Sequence, residues 1–270
     1  MTQATAPLDT GAAGTVTKRW WRTGGLVLGW VGFIGIWAFV SRFVLNEFVL
    51  PGPAKVGAAM WDILVSGEFV DDFVASISKT FLGFTIGAVL AVPIGYSMGR
   101  SRYWKAFFHD GVVAAGSIPG ITYAVLALVV FGTGFLGPVL AVGLISMPFI
   151  ALSVAEGVEG VDADLVSMSV AFHRSSSDIM RQVMLPSIMP FVFAGVRLAF
   201  AIAWKVEALT EVFGSSNGVG FQIRYAFQAF SITNVMAWTL LFIALMLLIE
   251  RGLALIELRV FRWRLWEQNA

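Results

Sequence analysis

The chain has 270 residues, 58% of them hydrophobic and only 13% charged, with a mean hydropathy of +0.82. Soluble domains carry about 25% charged residues, so this composition excludes a soluble globular domain and describes an all-α polytopic membrane protein. A net charge of +1 offers no field for nucleic acid, and the lack of cysteine excludes disulfides, thiol catalysis and cysteine-based metal sites.

In chain order, residues 1–23 read as a disordered N-terminal arm, rich in Thr, Ala and Gly over 1–17. Lys18, Arg19 and Arg22 precede a first span over 24–44, long enough to cross about 30 Å of hydrocarbon. No small-residue cleavage site follows this run, so it reads as a retained span rather than a signal peptide. Leu50-Pro51-Gly52-Pro53 is a turn. Residues 54–66 then form a surface helix with Val56, Met60, Ile63 and Leu64 on one side. The second span covers 70–98, with Lys79 in its early part and Gly83, Gly87 and Gly95 as candidates for close helix contact. Arg100, Arg102 and Lys105 form a basic loop after it. The third span, 110–131, is interrupted by Gly116-Ser117-Ile118-Pro119-Gly120, and the fourth covers 139–154. A break inside a membrane helix frees backbone groups that only protein or water can satisfy, so Ser117 and Pro119 are candidates for a solute path. The alternative is a kink that serves packing.

Residues 157–187 are the longest polar interval between apolar spans. Asp162 and Asp164 sit where a helix would begin, and Leu165, Met168 and Phe172 recur at helical spacing. His173-Arg174-Ser175 breaks the pattern. Ser175 with Asp178 then opens a second short helix through Ile179, Val183 and Met184, which Leu185-Pro186 ends. Rigidity of this knob would come from Leu165, Met168 and Phe172 packing on Ile179 and Val183. The pair reads either as a docking knob or as an ordinary loop on the membrane surface. The fifth span, 188–213, carries the most charge: Arg197, Lys205, Glu207 and Glu211, with Trp204 beside them. Charges cost about 2.5–3.5 kcal/mol each in a span and therefore face protein or water. Trp204, Lys205, Glu207 and Glu211 are thus candidates for lining a path, with Lys205 attracting an anion. Alternatively Lys205 neutralises a carboxylate or snorkels outward. Glu207 and Glu211, four apart on one face, call for a cation such as Lys205 or Arg197. Gly214 to Gly220 reads as a flexible loop, and the sixth span covers 234–255, with Arg259, Arg262 and Arg264 after it.

Basic residues concentrate on one side of a six-span arrangement, which places both termini and the 157–187 loop in the cytoplasm. No Walker-type phosphate loop or clustered metal spacing is present. The sequence therefore names no catalytic residue, no metal ligand and no cofactor for this chain. If transport is ATP-driven, ATP and Mg must be held by a second polypeptide.

Several of these motifs resemble those of the permease subunits of bacterial ABC importers, of the nitrate/sulfonate/taurine type. Gly160-Val161-Asp162, Arg181 and Leu185-Pro186 match that family's cytoplasmic coupling, or EAA, loop. Its acid-Ala-Ala run is replaced here by Ser167-Met168-Ser169, and its glycine by His173. Leu50-Pro51-Gly52-Pro53, Met98-Gly99-Arg100-Ser101, the break near Pro119, and Glu211 with Gly214 through Gly220 match further motifs. The resemblance implies a type I (MetI-like) permease fold over 24–264, a cytoplasmic tail at 265–270, and a bacterial inner-membrane location. It also implies a homodimer, two ATPase subunits and an extracytoplasmic substrate-binding protein. Asp162, Leu165, Met168, Phe172, His173, Arg181, Leu185 and Pro186 would then contact or position the ATPase. The solute would be small and anionic or polar. The rival reading is a self-contained ion-coupled carrier using Lys205, Glu207 and Glu211. A third is a membrane scaffold without transport.

Overall fold

The computed structural model describes the backbone of residues 11–260 and the side chains of Gly25 and of 28–260. The remaining basic and aromatic residues of the two ends, among them Lys18, Trp20, Arg262 and Arg264, lie outside the described side chains, as does the tail at 265–270. Among the described residues every regular element is helical. The chain divides into two compact units between Ala59 and Met60.

The first unit is built on α1 (Gly11–Phe43) and the start of α2 (Pro53–Ser66). Helix α1 begins at Gly11, which corrects the expectation of a disordered arm over that part of 1–23. Residues 11–17 contain no proline, and extending an existing helix costs far less than nucleating one. The apolar stretch of α1 among the described residues is Leu28–Phe43. Its polar handles turn to the proline-rich corner: Trp37 Nε1 donates to Pro51 O at 3.0 Å, and buried Ser41 sits beside Gly52. Val56 is fully buried on α2.

The second unit contains α3 (Glu68–Arg100), α4 (Arg102–Ser117), α5 (Gly120–Phe131), α6 (Leu136–Glu159), α7 (Ala163–Ala171), α8 (Ser176–Ile179), α9 (Leu185–Gly214), α10 (Val219–Gln228) and α11 (Ile232–Val260). Four helical runs are long and apolar enough to span a membrane: α3, α6, α8 through α9, and α11. The bent pair α4 and α5 makes a fifth. Six spans are expected from the sequence; the described part of α1, Leu28–Phe43, is a shorter apolar helix and is not among these five. Helix α6 is the centre. It contacts α3 on one side and α9 on the other, and its Ala141, Val142, Ile145, Ile150, Ala151 and Val154 are almost wholly buried.

The α3–α6 contact is a ladder of glycines. A Cβ at Gly83 would collide with Val139 O, one at Gly87 with Gly143 O, one at Gly95 with Ala151 O, and one at Gly99 with Ala155 O. The facing residues climb in step, so the two helices run parallel with their backbones in contact. Small residues permit this approach, and dispersion between backbones holds it. Gly99 belongs to the ladder although the sequence places it in the closing turn. Opposite, Gly195 of α9 meets Ser153 and Gly157 of α6 meets Ile188, so α9 runs antiparallel to α6.

The third span is not a kinked rod. Helices α4 and α5 meet at 94°. Pro119 forces Ile118 into extended backbone (φ −68°, ψ 129°). Tyr123 Oη donates to Ala115 O at 2.8 Å, which satisfies a carbonyl that the break frees.

Gly95→Ala should lower the thermal unfolding midpoint of the purified protein, by about 1–3 kcal/mol of overpacking. Gly111→Ala in α4, where nothing lies within 4 Å, should raise it through helix propensity. Equal responses of the two would show that the ladder does not hold α3 against α6.

Candidate functional site

Three residues on one face of α3, namely Asp72, Ser76 and Lys79, meet the end of α9 and the loop that follows it. Lys79 and Glu211 form an ion pair at 2.7 Å, and both side chains are within 1% of complete burial. Lys79 Nζ also donates to Ser215 Oγ (3.0 Å) and to Asn217 O (2.9 Å), so its three N–H groups all have acceptors. Glu211 Oε2 accepts from Ser76 Oγ (2.8 Å) and from the Gly220 N–H (2.9 Å) at the start of α10. A carboxylate there also suits the positive end of that helix. Ser76 Oγ accepts from the Val219 N–H, and Asp72 accepts from the Gly218 N–H and from Gln222 Nε2. Gly218 has φ 109°, and a Cβ on it would overlap the Glu211 carboxylate, so only glycine fits. Arg224 donates to Ser215 O at 2.6 Å and lies over the Phe221 ring. The loop expected to be flexible is thus pinned on both sides.

This cluster corrects the charge pairing read from the sequence. The cation for Glu211 is Lys79, not Lys205 or Arg197. Lys205 is two positions from Glu207, about 200° around the helix, and is exposed with no ion pair among the described residues. Arg197 lies toward the other end of α9 and pairs with Glu257 (2.8 Å) and Glu250 (3.5 Å) of α11. Glu207 is completely buried, and neither of its oxygens has a hydrogen-bond partner. Trp204 is buried as well, stacked between Phe242 (centroids 4.7 Å apart) and Phe200 (6.1 Å), with Nε1 unpartnered. Of the residues at the break, Ser117 is exposed and donates to Val113 O, and Pro119 caps α5. Gly120 abuts Val206 Cγ2, which brings the break beside the turn of α9 that carries Lys205.

The polar interval 157–187 folds as the sequence suggests at its start and differently at its end. Asp162 caps α7, accepting from the Asp164 N–H at 2.8 Å. Ser175 caps α8, accepting from the Asp178 N–H at 3.1 Å. His173 between them has φ 53°, the left-handed conformation that favours glycine. Leu185-Pro186 does not end the second helix. Residues 176–214 form one helical run, in which Met180–Met184 is a π-turn and the Leu185 N–H donates to Met180 O five residues back. The wider turn leads into α9 with Pro186 at its start, where a proline needs no N–H partner. Leu165, Met168 and Phe172 are 44%, 52% and 73% exposed. They do not form the expected buried contact with Ile179 and Val183, because α7 and α8 diverge at His173 and scarcely meet. Arg181 is exposed without an ion pair among the described residues.

A helical membrane bundle with a broken span, a pinned 214–220 loop and an exposed two-helix knob is the architecture of a transport permease. The chain belongs to the family of binding-protein-dependent transport system inner membrane components, whose model matches residues 83–262. It is 28% identical to the aliphatic sulfonates transport permease protein SsuC of Bacillus subtilis, over 92% of this chain and 90% of that one. It is 23% identical to the nitrate import permease protein NrtB of Synechococcus elongatus, over 73% and 74%, and 22% identical to the taurine transport system permease protein TauC of Escherichia coli, over 84% of each. In fold it resembles a chain of the inward-facing MetNI methionine ABC transporter, with a TM-score of 0.61 and 21% identity over 71% of this chain and 95% of that one. A chain of an amino acid ABC transporter matches with the same TM-score at 18% identity, over 74% and 97%.

Sequence reasoning missed the partners of Glu211. Lys79 was visible as a lone cation in an apolar span, and Glu211 as an acid near the end of another, which is the signal for a buried pair. Lys79→Met should destabilise the protein by about 3–5 kcal/mol, since it leaves Glu211 buried without its cation. Lys79→Met with Glu211→Gln should recover part of that loss. Thermal unfolding of the single and double variants in detergent checks this, and additive losses would mean the two groups are not coupled.

Proposed function

We propose that this chain is the permease subunit of an ATP-binding-cassette importer that passes a small anionic or polar solute. In this reading two copies pair across the membrane. An ATPase subunit holding ATP and Mg grips the α7–α8 knob of each, and an extracytoplasmic binding protein delivers the solute. Both termini and the knob lie in the cytoplasm, which the bias of basic residues supports. Closure of the ATPases moves the knobs and reorients the bundle between outward and inward access.

The observation that carries this reading is the knob itself. Its apolar residues Leu165, Met168 and Phe172 are exposed, on an element capped at both starts by its own side chains. An ordered element that displays an apolar row is suited to a partner's groove. Phe172→Ala should therefore leave the permease inserted and as stable as before, while the ATPase subunit is lost on co-purification or its hydrolysis runs without uptake. His173→Gly should retain coupling and gain about 1 kcal/mol of stability from relief of the left-handed conformation. Full coupling in the Phe172→Ala protein would remove the basis for this docking.

For the path, Lys205 is the residue we assign to the solute. An exposed, unpaired ammonium on a spanning helix needs water or an anion beside it, and the α4–α5 break with Ser117 and Pro119 adjoins its turn. The names of the sulfonate and nitrate relatives agree with an anionic cargo. Lys205→Met should cut uptake several-fold without loss of the assembled complex, and Lys205→Arg should keep part of it. Normal uptake by Lys205→Met in liposomes would free Lys205 of this role. The ion-coupled carrier would need Lys205, Glu207 and Glu211 on one path, whereas Lys205 lies on the opposite face of α9 from the two glutamates. Uptake with no ATPase present would favour that carrier.

A further inference from the structure

The buried charges at the end of α9 do not balance. Glu207 and Glu211 are both fully buried, and Lys79 is the cation that reaches them. All three of its N–H groups are committed, to Glu211, Ser215 and Asn217. Among the described residues no other element packed on α9 supplies a second cation to them. Helix α5 carries no charged side chain. The acids of α6 and the charged residues of α11 lie toward the opposite end, where Glu250 and Glu257 engage Arg197. Arg224 of α10 is bound to the carbonyls of Ser215 and Val212, and Asp72 of α3 is satisfied by Gly218 and Gln222. Lys205 points away. Glu207 is therefore a carboxyl group with no donor and no free counter-charge, beside the Glu211 carboxylate and in a position closed to solvent.

A second buried polar atom without a partner lies on α3. Helices α3 and α9 run antiparallel, with Ser76 bonded to Glu211 at one level and the Phe84 ring against Phe200 at another (centroids 5.6 Å apart). Thr80 lies on α3 between Ser76 and Phe84, and Glu207 lies on α9 between Phe200 and Glu211. Thr80 Oγ1 is buried and has no partner. The two oxygens of Glu207, next to the Glu211 carboxylate, form an acceptor-rich spot inside the bundle. An uncompensated carboxylate there would carry a desolvation cost that native proteins avoid by pairing or neutralisation.

We propose that Glu207 is a binding site for one small monovalent cation, a proton or a sodium ion, which completes the charge of the Lys79–Glu211 cluster. A divalent metal is disfavoured, because among the described residues no group of three or more acidic or histidine side chains gathers. When the site is filled, the cluster is neutral and Lys79 stays on Glu211. When it is empty, Glu207 competes for Lys79 and loosens the hold on the 214–220 loop and α10. The inference does not depend on the importer reading, and its test needs neither ATPase nor uptake.

The test is thermal unfolding of the full-length chain in lipid nanodiscs, in choline or sodium chloride, from mildly acidic to alkaline buffer. For a proton site, the wild-type midpoint falls by several degrees as pH rises, because the emptied site leaves a buried charge, and sodium does not restore it. For a sodium site, sodium raises the midpoint over choline at fixed pH. In either case Glu207→Gln is insensitive to the ion that matters. Identical responses of wild type and Glu207→Gln overturn the proposal. If Glu207→Gln does not accumulate, Glu207→Met, of similar volume and without a hydrogen-bonding amide, takes its place in the same assay. A chain that tolerates neither substitution needs the ionised carboxylate itself, which also overturns the proposal.

Discussion

The ion pair between Lys79 and Glu211 is the contact on which this end of the second unit depends. Taking two charges out of water is costly, and the cost is offset only where geometry is good and every remaining donor and acceptor is satisfied. Here it is: the ammonium has three acceptors, and the carboxylate has Lys79, Ser76 and the first turn of α10. The pair therefore does more than join two helices. It orients the 214–220 loop, starts α10, and aligns α3 with α9 at a fixed register. Ridges of apolar side chains alone could slide by a turn at little cost, whereas a buried charge pair cannot.

Beneath the pair, the glycine ladder supplies the contact that apolar burial cannot. Lipid is as apolar as leucine, so helices in a membrane gain little from hiding hydrophobic surface from one another. Removing the side chains at Gly83, Gly87, Gly95 and Gly99 lets α3 and α6 touch backbone to backbone. The two devices are complementary. The ladder sets the distance between α3 and α6, and the polar cluster sets the register of α3 against α9.

Much of this architecture is legible in the sequence because a bilayer restricts the options. Length and apolarity alone mark out α3, α6, α9 and α11. Gly83, Gly87 and Gly95 advertise close packing, and the acids at 162 and 178 mark the helix starts in the polar interval. The rest was hidden for physical reasons. That Glu211 would pair with Lys79 depends on which faces of two helices distant in sequence meet, and spacing within one helix does not carry that information. Pro186 reads as a stop because proline breaks a helix in isolation. A π-turn in the preceding five residues lets the chain pass into α9 instead. The apolar row of α7 reads as core because its periodicity is that of a buried face, although nothing among the described residues covers it. Sequence alone could not separate a face that folds inward from one kept for another molecule.

Continuity through Pro186 has a mechanical consequence. From Ser176 to Glu211 the chain is a single rod about 50 Å long, with one end at the knob and the other at the buried ion pair. A helix resists compression along its axis far more than a loop does. Tilting the knob end by a few degrees must displace the opposite end by several ångströms, with α6 as the fulcrum where Gly195 and Gly157 pin the rod. The widened turn at Met180–Met184 sits near the short arm of that lever, where a small change in helical pitch alters the angle at which the whole long arm leaves the knob.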